Sequence, residues 1–207
     1  GHVDYCHYTK GSTPEKTATA WAAADLEKAK QLVKESGTSG QSVAIVVSDD
    51  DVNKQMGIYV QSVLNAIGYK ATVKAISGNI QFTYIQNTKN KVQISVTQWY
   101  QDYPAASDFL YVLLSCASFT PNSDSSINMS GYCNKTLDKR MQDAIALGVT
   151  DPAKANVEWG KIDQAIMADA PVAVAFTPKQ LDFISSKTKN YHFSLQYKMF
   201  VSQLQVK

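Results

Sequence analysis

Residues 42–76 constrain this chain most. The run "SVAIVV" (42–47) is continuous and dominated by β-branched side chains, the pattern of a strand buried on both faces. The next stretch, "DDDVNKQMGIYVQSVLNAIG", changes the period to that of a helix. Val52, Met56, Tyr59/Val60, Val63/Leu64 and Ile67 form one apolar stripe, the opening acids suit the positive end of the helix dipole, and Gly68 ends it. Then "KATVKAI" (70–76) alternates as a strand does. Strand, helix and strand in that order make a βαβ unit, which is right-handed and joins parallel strands.

Elements of the same kind flank this unit. Asp25 is placed to cap "LEKAKQLVKES", with Leu26, Ala29 and Leu32/Val33 on one face and Gly37 as the stop. A short helix is expected at 79–89, a strand at 92–99 and a helix at 106–115, entered after Pro104. Two helices follow: "NKTLDKRMQDAIALG" (134–148), with Asn134 or Thr136 as its cap, and "DPAKANVEWGKIDQAIMADA", with Asp151 as N-cap and Pro152 at the first helical position. "PVAVAF" (171–176) reads as a strand, and the last 30 or so residues alternate like strands separated by loops. The class is α/β, a mostly parallel sheet with helices on both faces.

Charge and cysteines narrow the function. The net charge is +2, and the 20 basic side chains, Arg140 the one arginine among them, are scattered. That spread gives no nucleic-acid stripe and no polybasic membrane patch. No apolar run is long enough to span a bilayer, and none reads as a signal peptide. Cys116 and Cys133 enclose a polar loop rich in Ser, Asn and Gly, with little apolar material to hold it down. Two readings are open: a pair of buried free thiols, or a bridge, which in the chain-entropy model stabilises by about 3 kcal/mol and implies an oxidising compartment. Cys6 is the odd cysteine, in a lead-in with little structural signal.

Catalytic signatures are missing from the sequence. There is no GxGxxG, P-loop, HExxH or GxSxG. His2, His7 and His192 have no carboxylate or cysteine at metal-ligand spacing, and Asp49–Asp51 are explained by the helix they open. No enzyme activity, cofactor or metal site is expected. What stands out is "QWYQDYPAASDFLYVLLSC" (98–116), where Trp99, Tyr100 and Tyr103 surround Asp102 just past the end of a strand. Open α/β sheets bind ligands beyond the carboxyl ends of their strands, so a carboxylate there can pair with a ligand ammonium between aromatic walls. Equally, Trp99 and Tyr103 could plug the core while Asp102 caps the next turn.

The ordered set "DLEKAKQLVKESG", "VAIVVSDDD", "QMGIYVQSVLNAIGYKATV", "ISVTQWYQDYPAASDFLYVLLSC", "NMSGYCNKTLDKRM" and the later "DP", "W", "ID" and "DAP" positions closely resembles the dipeptide/oligopeptide-binding family 5, the large solute-binding proteins of bacterial ABC importers, and most of all lipoprotein members from actinobacteria. The resemblance runs from about Asp25 to the end. Family members are commonly more than twice as long, so it implies the C-terminal lobe of a type II periplasmic binding protein. Residues 1–24 would then be a lead-in after the inter-lobe crossing, 25–175 the α/β lobe, and 176–207 a tail returning to an N-terminal lobe. By motif match, Asp102 would take a peptide's N-terminal ammonium, with Trp99, Tyr100 and Tyr103 around it and Asn128 of "NMSGY" near the cleft. Some dipeptide-binding relatives carry a cysteine pair at the spacing of Cys116 and Cys133, which favours the bridge. The implied partners are a peptide or other small solute, ABC permease subunits and the N-terminal lobe, with no nucleic acid. The implied location is extracytoplasmic, lipid-anchored at the outer face of the cell membrane or periplasmic. One departure is that many members read "DYPDP" or "DYNEP" where this chain reads "DYPAAS". The lost second acid leaves room for a non-peptide solute such as an oligosaccharide or metal complex. A free-standing interaction domain is the third reading.

Overall fold

The computed structural model describes residues 24–176, 181–194 and 197–206. The expected lead-in, with Cys6, His2 and His7, lies outside the described residues. Helix α1 (Leu26–Glu35) is capped by Asp25, which accepts the Lys28 N–H at 3.0 Å, and the chain turns at Gly37 with φ 70°. The βαβ unit follows as β1 (Ser42–Ser48), α2 (Asp51–Ile67) and β2 (Lys70–Ile76). Asp50 caps α2, and Gly68 closes it at φ 112°, a left-handed conformation that costs glycine little. Helix α3 (Gly78–Gln86) leads through a 3-10 turn at Thr88–Asn90 to β3 (Ile94–Ser95).

These strands form a parallel sheet in the order β2-β1-β3, with Ile45 opposite both Val73 and Ile94. Period-2 alternation sends Ile45 and Val47 to one face, where with Ala71 they pack against Val60 and Leu64 of α2. Val46 is buried on the opposite face, where α3 lies against β1. Helix α2 comes so close that a Cβ on Gly57 would stand 2.8 Å from Val47 Cγ1 and 3.2 Å from Val73 Cγ1.

A second core is purely helical. Helices α4 (Ser107–Leu114), α5 (Lys135–Thr150) and α6 (Pro152–Asp169) bury Leu110, Leu114, Leu137, Met141, Trp159, Ile162 and Ile166 against one another. Burying several such side chains, each contributing about 1.5–3 kcal/mol, outweighs any one polar contact here. Arg140 of α5 reaches Glu158 of α6 with Nε and Nη2 at 2.9 and 2.6 Å from one carboxylate oxygen. The caps are those the sequence suggests: Asn134 accepts the N–H groups of Thr136 and Leu137, and Asp151 accepts that of Lys154.

Three expected strands come out differently. The run at 92–99 pairs with β1 only at Ile94 and Ser95, because the Gln93 side chain, in place of a main-chain carbonyl, takes the Ala44 N–H at 3.1 Å. "PVAVAF" (171–176) has no strand partner among the described residues and leaves Val174 81% exposed, since no neighbouring edge takes up its backbone groups. Among its described residues the alternating tail forms two-residue antiparallel pairs. Strand β4 (Thr188–Lys189) pairs with β7 (Gln205–Val206), and β5 (Phe193–Ser194) with β6 (Lys198–Met199).

Candidate functional site

Strand β3 runs parallel to β1 and stops at Ser95, so residues 97–106 emerge beyond the carboxyl edge of the sheet. The Val96 N–H still donates to Val46 O (3.0 Å), and Gln81 Nε2 of α3 donates to Val96 O (3.1 Å). Those two bonds anchor the start of the segment. Trp99 is half-buried and stacks on Phe82 of α3, ring centroids 6.2 Å apart and planes inclined by 27°. Its Nε1 is buried and has no hydrogen-bond partner.

From Tyr100 onward the segment faces out. Tyr100 is 60% exposed, its hydroxyl donates to Gln98 Oε1 (3.0 Å), and Lys198 Nζ from β6 stands 4.8 Å over its ring. That is a cation–π contact between the tail and the segment. The Asp102 side chain is exposed, and Tyr103, 41% exposed, receives a 3.3 Å hydrogen bond from Ser107 Oγ. Pro104 and a Tyr103 O···H–N Ala105 turn (2.9 Å) swing the chain into α4. The result is an exposed stretch just past the strand end that carries Tyr100, Asp102 and Tyr103, preceded by Trp99 propped on Phe82 of α3.

Asn128 is not part of this surface. It is fully buried, with Nδ2 donating to Ser115 O (2.9 Å) and Tyr132 O (2.7 Å) and Oδ1 accepting from Ser130 Oγ (2.9 Å). The residue expected near the ligand is thus enclosed within the loop in this structure. Its amide is consumed in folding the loop on which it lies, because a buried carboxamide must be satisfied from within.

The same loop carries the bridge joining Cys116 to Cys133. The Cys116 N–H donates to both carboxylate oxygens of Asp138 in the first turn of α5, at 3.1 and 3.0 Å. The loop also reaches the sheet unit: Asn87 Nδ2 donates to Asp124 (2.6 Å), and Thr88 exchanges two bonds with Asn122. On its far side, the Tyr132 hydroxyl donates to Asp169 Oδ2 at 2.5 Å. Burial, reinforced by that carboxylate, pushes the Tyr132 phenol up to about 12. Asp50 moves the other way, down to about 2, because the Asn53 side chain and backbone N–H both donate to its ionised form.

One residue of this neighbourhood carries no signal in the sequence beyond its place in a helix. Asp108, in the first turn of α4, is fully buried, and its Oδ2 accepts the backbone N–H of Asp102 at 2.8 Å. An acid opening an otherwise apolar helix is the only hint. Among the described residues no group of His, Cys, Asp and Glu side chains could hold a metal, and no helix is long and apolar enough to cross a membrane.

This architecture, a parallel sheet covered by helices, is that of the type II periplasmic binding proteins. The Escherichia coli murein tripeptide binding protein MppA superposes with a TM-score of 0.74 at 20% identity, over 97% of this chain and 38% of its own. The pheromone receptor PrgZ, whose structure describes its mode of peptide binding, gives 0.64 at 26% identity over 88% of this chain and 33% of its own. MoaA from A. tumefaciens R10, solved with mannopinic acid, gives 0.62 at 18% identity over 82% and 33%. No curated protein matches. The family model for bacterial extracellular solute-binding proteins, family 5 Middle, matches residues 5–121, more than half of the chain, and the chain belongs to that family. It spans about a third of the length of the solved chains named above.

Proposed function

We propose that this chain is the C-terminal lobe of a two-lobe receptor that captures a peptide for ABC-transporter import, with Asp102 accepting the peptide's N-terminal ammonium. The observation that carries the reading is the exposed acid Asp102 just beyond the carboxyl edge of the sheet, on the same exposed stretch of chain as Tyr100 and Tyr103. Family membership and the peptide-binding relatives support it. Trp99 supplies the wall behind the ammonium. Once a second lobe excludes water, a charge-assisted bond to a trapped cation contributes about 1.5–3 kcal/mol. Backbone groups of an extended peptide add bonds that do not depend on its side chains.

In this reading residues 25–175 form the lobe, and 176–207 return to the N-terminal lobe. The exposure of Leu181 (91%) and Phe183 (97%) supports a further surface for the tail to cover. The receptor works outside the cytoplasm, lipid-anchored or periplasmic, where the Cys116–Cys133 bridge persists, and hands its closed form to permease subunits.

The test is Asp102→Asn in the full-length receptor that contains this chain, titrated with free-amine peptides and with the same peptides N-acetylated. Free-amine binding weakens roughly tenfold or more while acetylated binding barely moves. Equal loss for both classes removes Asp102 from the ammonium role. A second reading, a sugar-derived solute stacked on Tyr100 and Tyr103, is favoured by their exposed rings, by the missing second acid of "DYPAAS" and by MoaA. Calorimetry with oligosaccharides in place of peptides distinguishes it.

A further inference from the structure

The described residues contain one acid with no exposed surface at all, Asp108, which lies in the first turn of α4, six residues after the proposed ligand acid. Removing a carboxylate from water is costly unless the groups around it make use of its charge or its acceptors. Asp108 is not the cap of its own helix. Ala106 occupies that position, with no side-chain hydrogen bond to the helix. One Asp108 oxygen turns backward across six residues to the main chain of Asp102, while Oδ1 is buried without a partner. A neutral cap would satisfy a helix start at lower desolvation cost, so the helix alone does not account for a carboxylate here.

Holding the residue-102 amide does account for it. The Asp102 N–H···Oδ2 bond restricts the backbone of the residue whose side chain is to meet the ligand, and so fixes the direction in which that side chain leaves the chain. The other main-chain bonds within this stretch, Ala105 N–H to Tyr103 O (2.9 Å) and Asp108 N–H to Ala105 O (3.1 Å), hold Pro104 and the entry to α4. Asp108 lies in the first turn of α4, where the positive end of the helix dipole offsets its charge. The anchor thus ties the binding acid to a buried helix, whose Leu110 and Leu114 belong to the helical core.

We infer that Asp108 is the positioning residue for ligand recognition: it aims Asp102, and so sets the preference for a free ammonium over a neutral ligand end. This rests on the ammonium reading of Asp102. The full-length receptor is measured as wild type, Asp102→Asn, Asp108→Ala and Asp108→Asn. The readouts are the ratio of free-amine to N-acetylated peptide affinity and the hydrogen exchange of segment 100–106 without ligand. Asp108→Ala is expected to lower the ratio about tenfold and to speed exchange of that segment by a similar factor, both within the range of one lost buried hydrogen bond. Asp108→Asn keeps an acceptor for the same amide and restores most of both. If Asp102→Asn collapses the ratio but Asp108→Ala leaves it intact, or weakens both peptide classes equally, the positioning role is wrong while the ammonium reading stands. If Asp102→Asn leaves the ratio unchanged, both fall. Should Asp108→Ala not fold, Asp108→Ser, too short to reach back to residue 102, replaces it under the same criteria.

Discussion

Both carboxylate oxygens of Asp138 accept the single backbone N–H of Cys116, at 3.1 and 3.0 Å, so the disulfide and the first turn of α5 share one anchor. The polar loop between Cys116 and Cys133 has few apolar side chains of its own, and the bridge bounds the conformations open to it when the protein unfolds. Replacing both cysteines by serine is expected to destabilise the protein by about 3 kcal/mol, the chain-entropy value for a loop of this length. Urea unfolding of the variant, and of the wild type with and without reductant, checks this. An unchanged midpoint would mean that Asp138 and Asn128 hold the loop without the bridge.

Gly57 marks the closest approach of α2 to the sheet. A methyl there would meet the stiff branched side chains of Val47 and Val73 at 2.8 and 3.2 Å. Gly57→Ala therefore loses stability by about 1–3 kcal/mol through overpacking, despite alanine's better helix propensity. Val47→Ala in the same background recovers part of the loss, and a double-mutant cycle in urea measures the coupling.

Asn128→Ala strips hydrogen bonds from the carbonyls of Ser115 and Tyr132 at a fully buried site. Each carbonyl left unsatisfied costs about 1–3 kcal/mol. The expected signature is a lower unfolding midpoint together with unchanged ligand affinity wherever the variant is folded. A selective loss of affinity at full stability would return Asn128 to the binding surface.

Tyr132 is held in its neutral form, with its pKa raised from 10.0 to about 12 by burial and by the carboxylate of Asp169. A group whose folded pKa lies above its unfolded value contributes stability that is complete below pH 10 and lost as pH rises toward 12. Wild type is therefore expected to lose stability more steeply than Tyr132→Phe across that window, which denaturant midpoints at successive pH values follow directly. Parallel curves would show that the Tyr132–Asp169 contact does not distinguish the two protonation states.

Local chemistry made much of the fold legible. Asp25, Asn134 and Asp151 each cap the helix they precede, and Gly37 and Gly68 each take the positive φ expected of a helix stop. Signals of this kind act over three or four residues, so they can be read without knowing where the chain goes next. "PVAVAF" shows the limit of such reading: its composition suits a strand, but pairing needs a partner edge, and residues 171–176 have none among the described residues.

The candidate site divides along the same line. The sequence alone places Trp99, Tyr100, Asp102 and Tyr103 together just past a strand, because their neighbourhood is sequential. Only the tertiary structure separates three polar residues of similar chemistry: Asp102 faces outward, while Asp108 and Asn128 are fully buried. Their fates depend on partners elsewhere in the chain, such as Ser115 thirteen residues from Asn128. The cost of burying a polar group is met or not met by those partners, and no property of the residue itself records which.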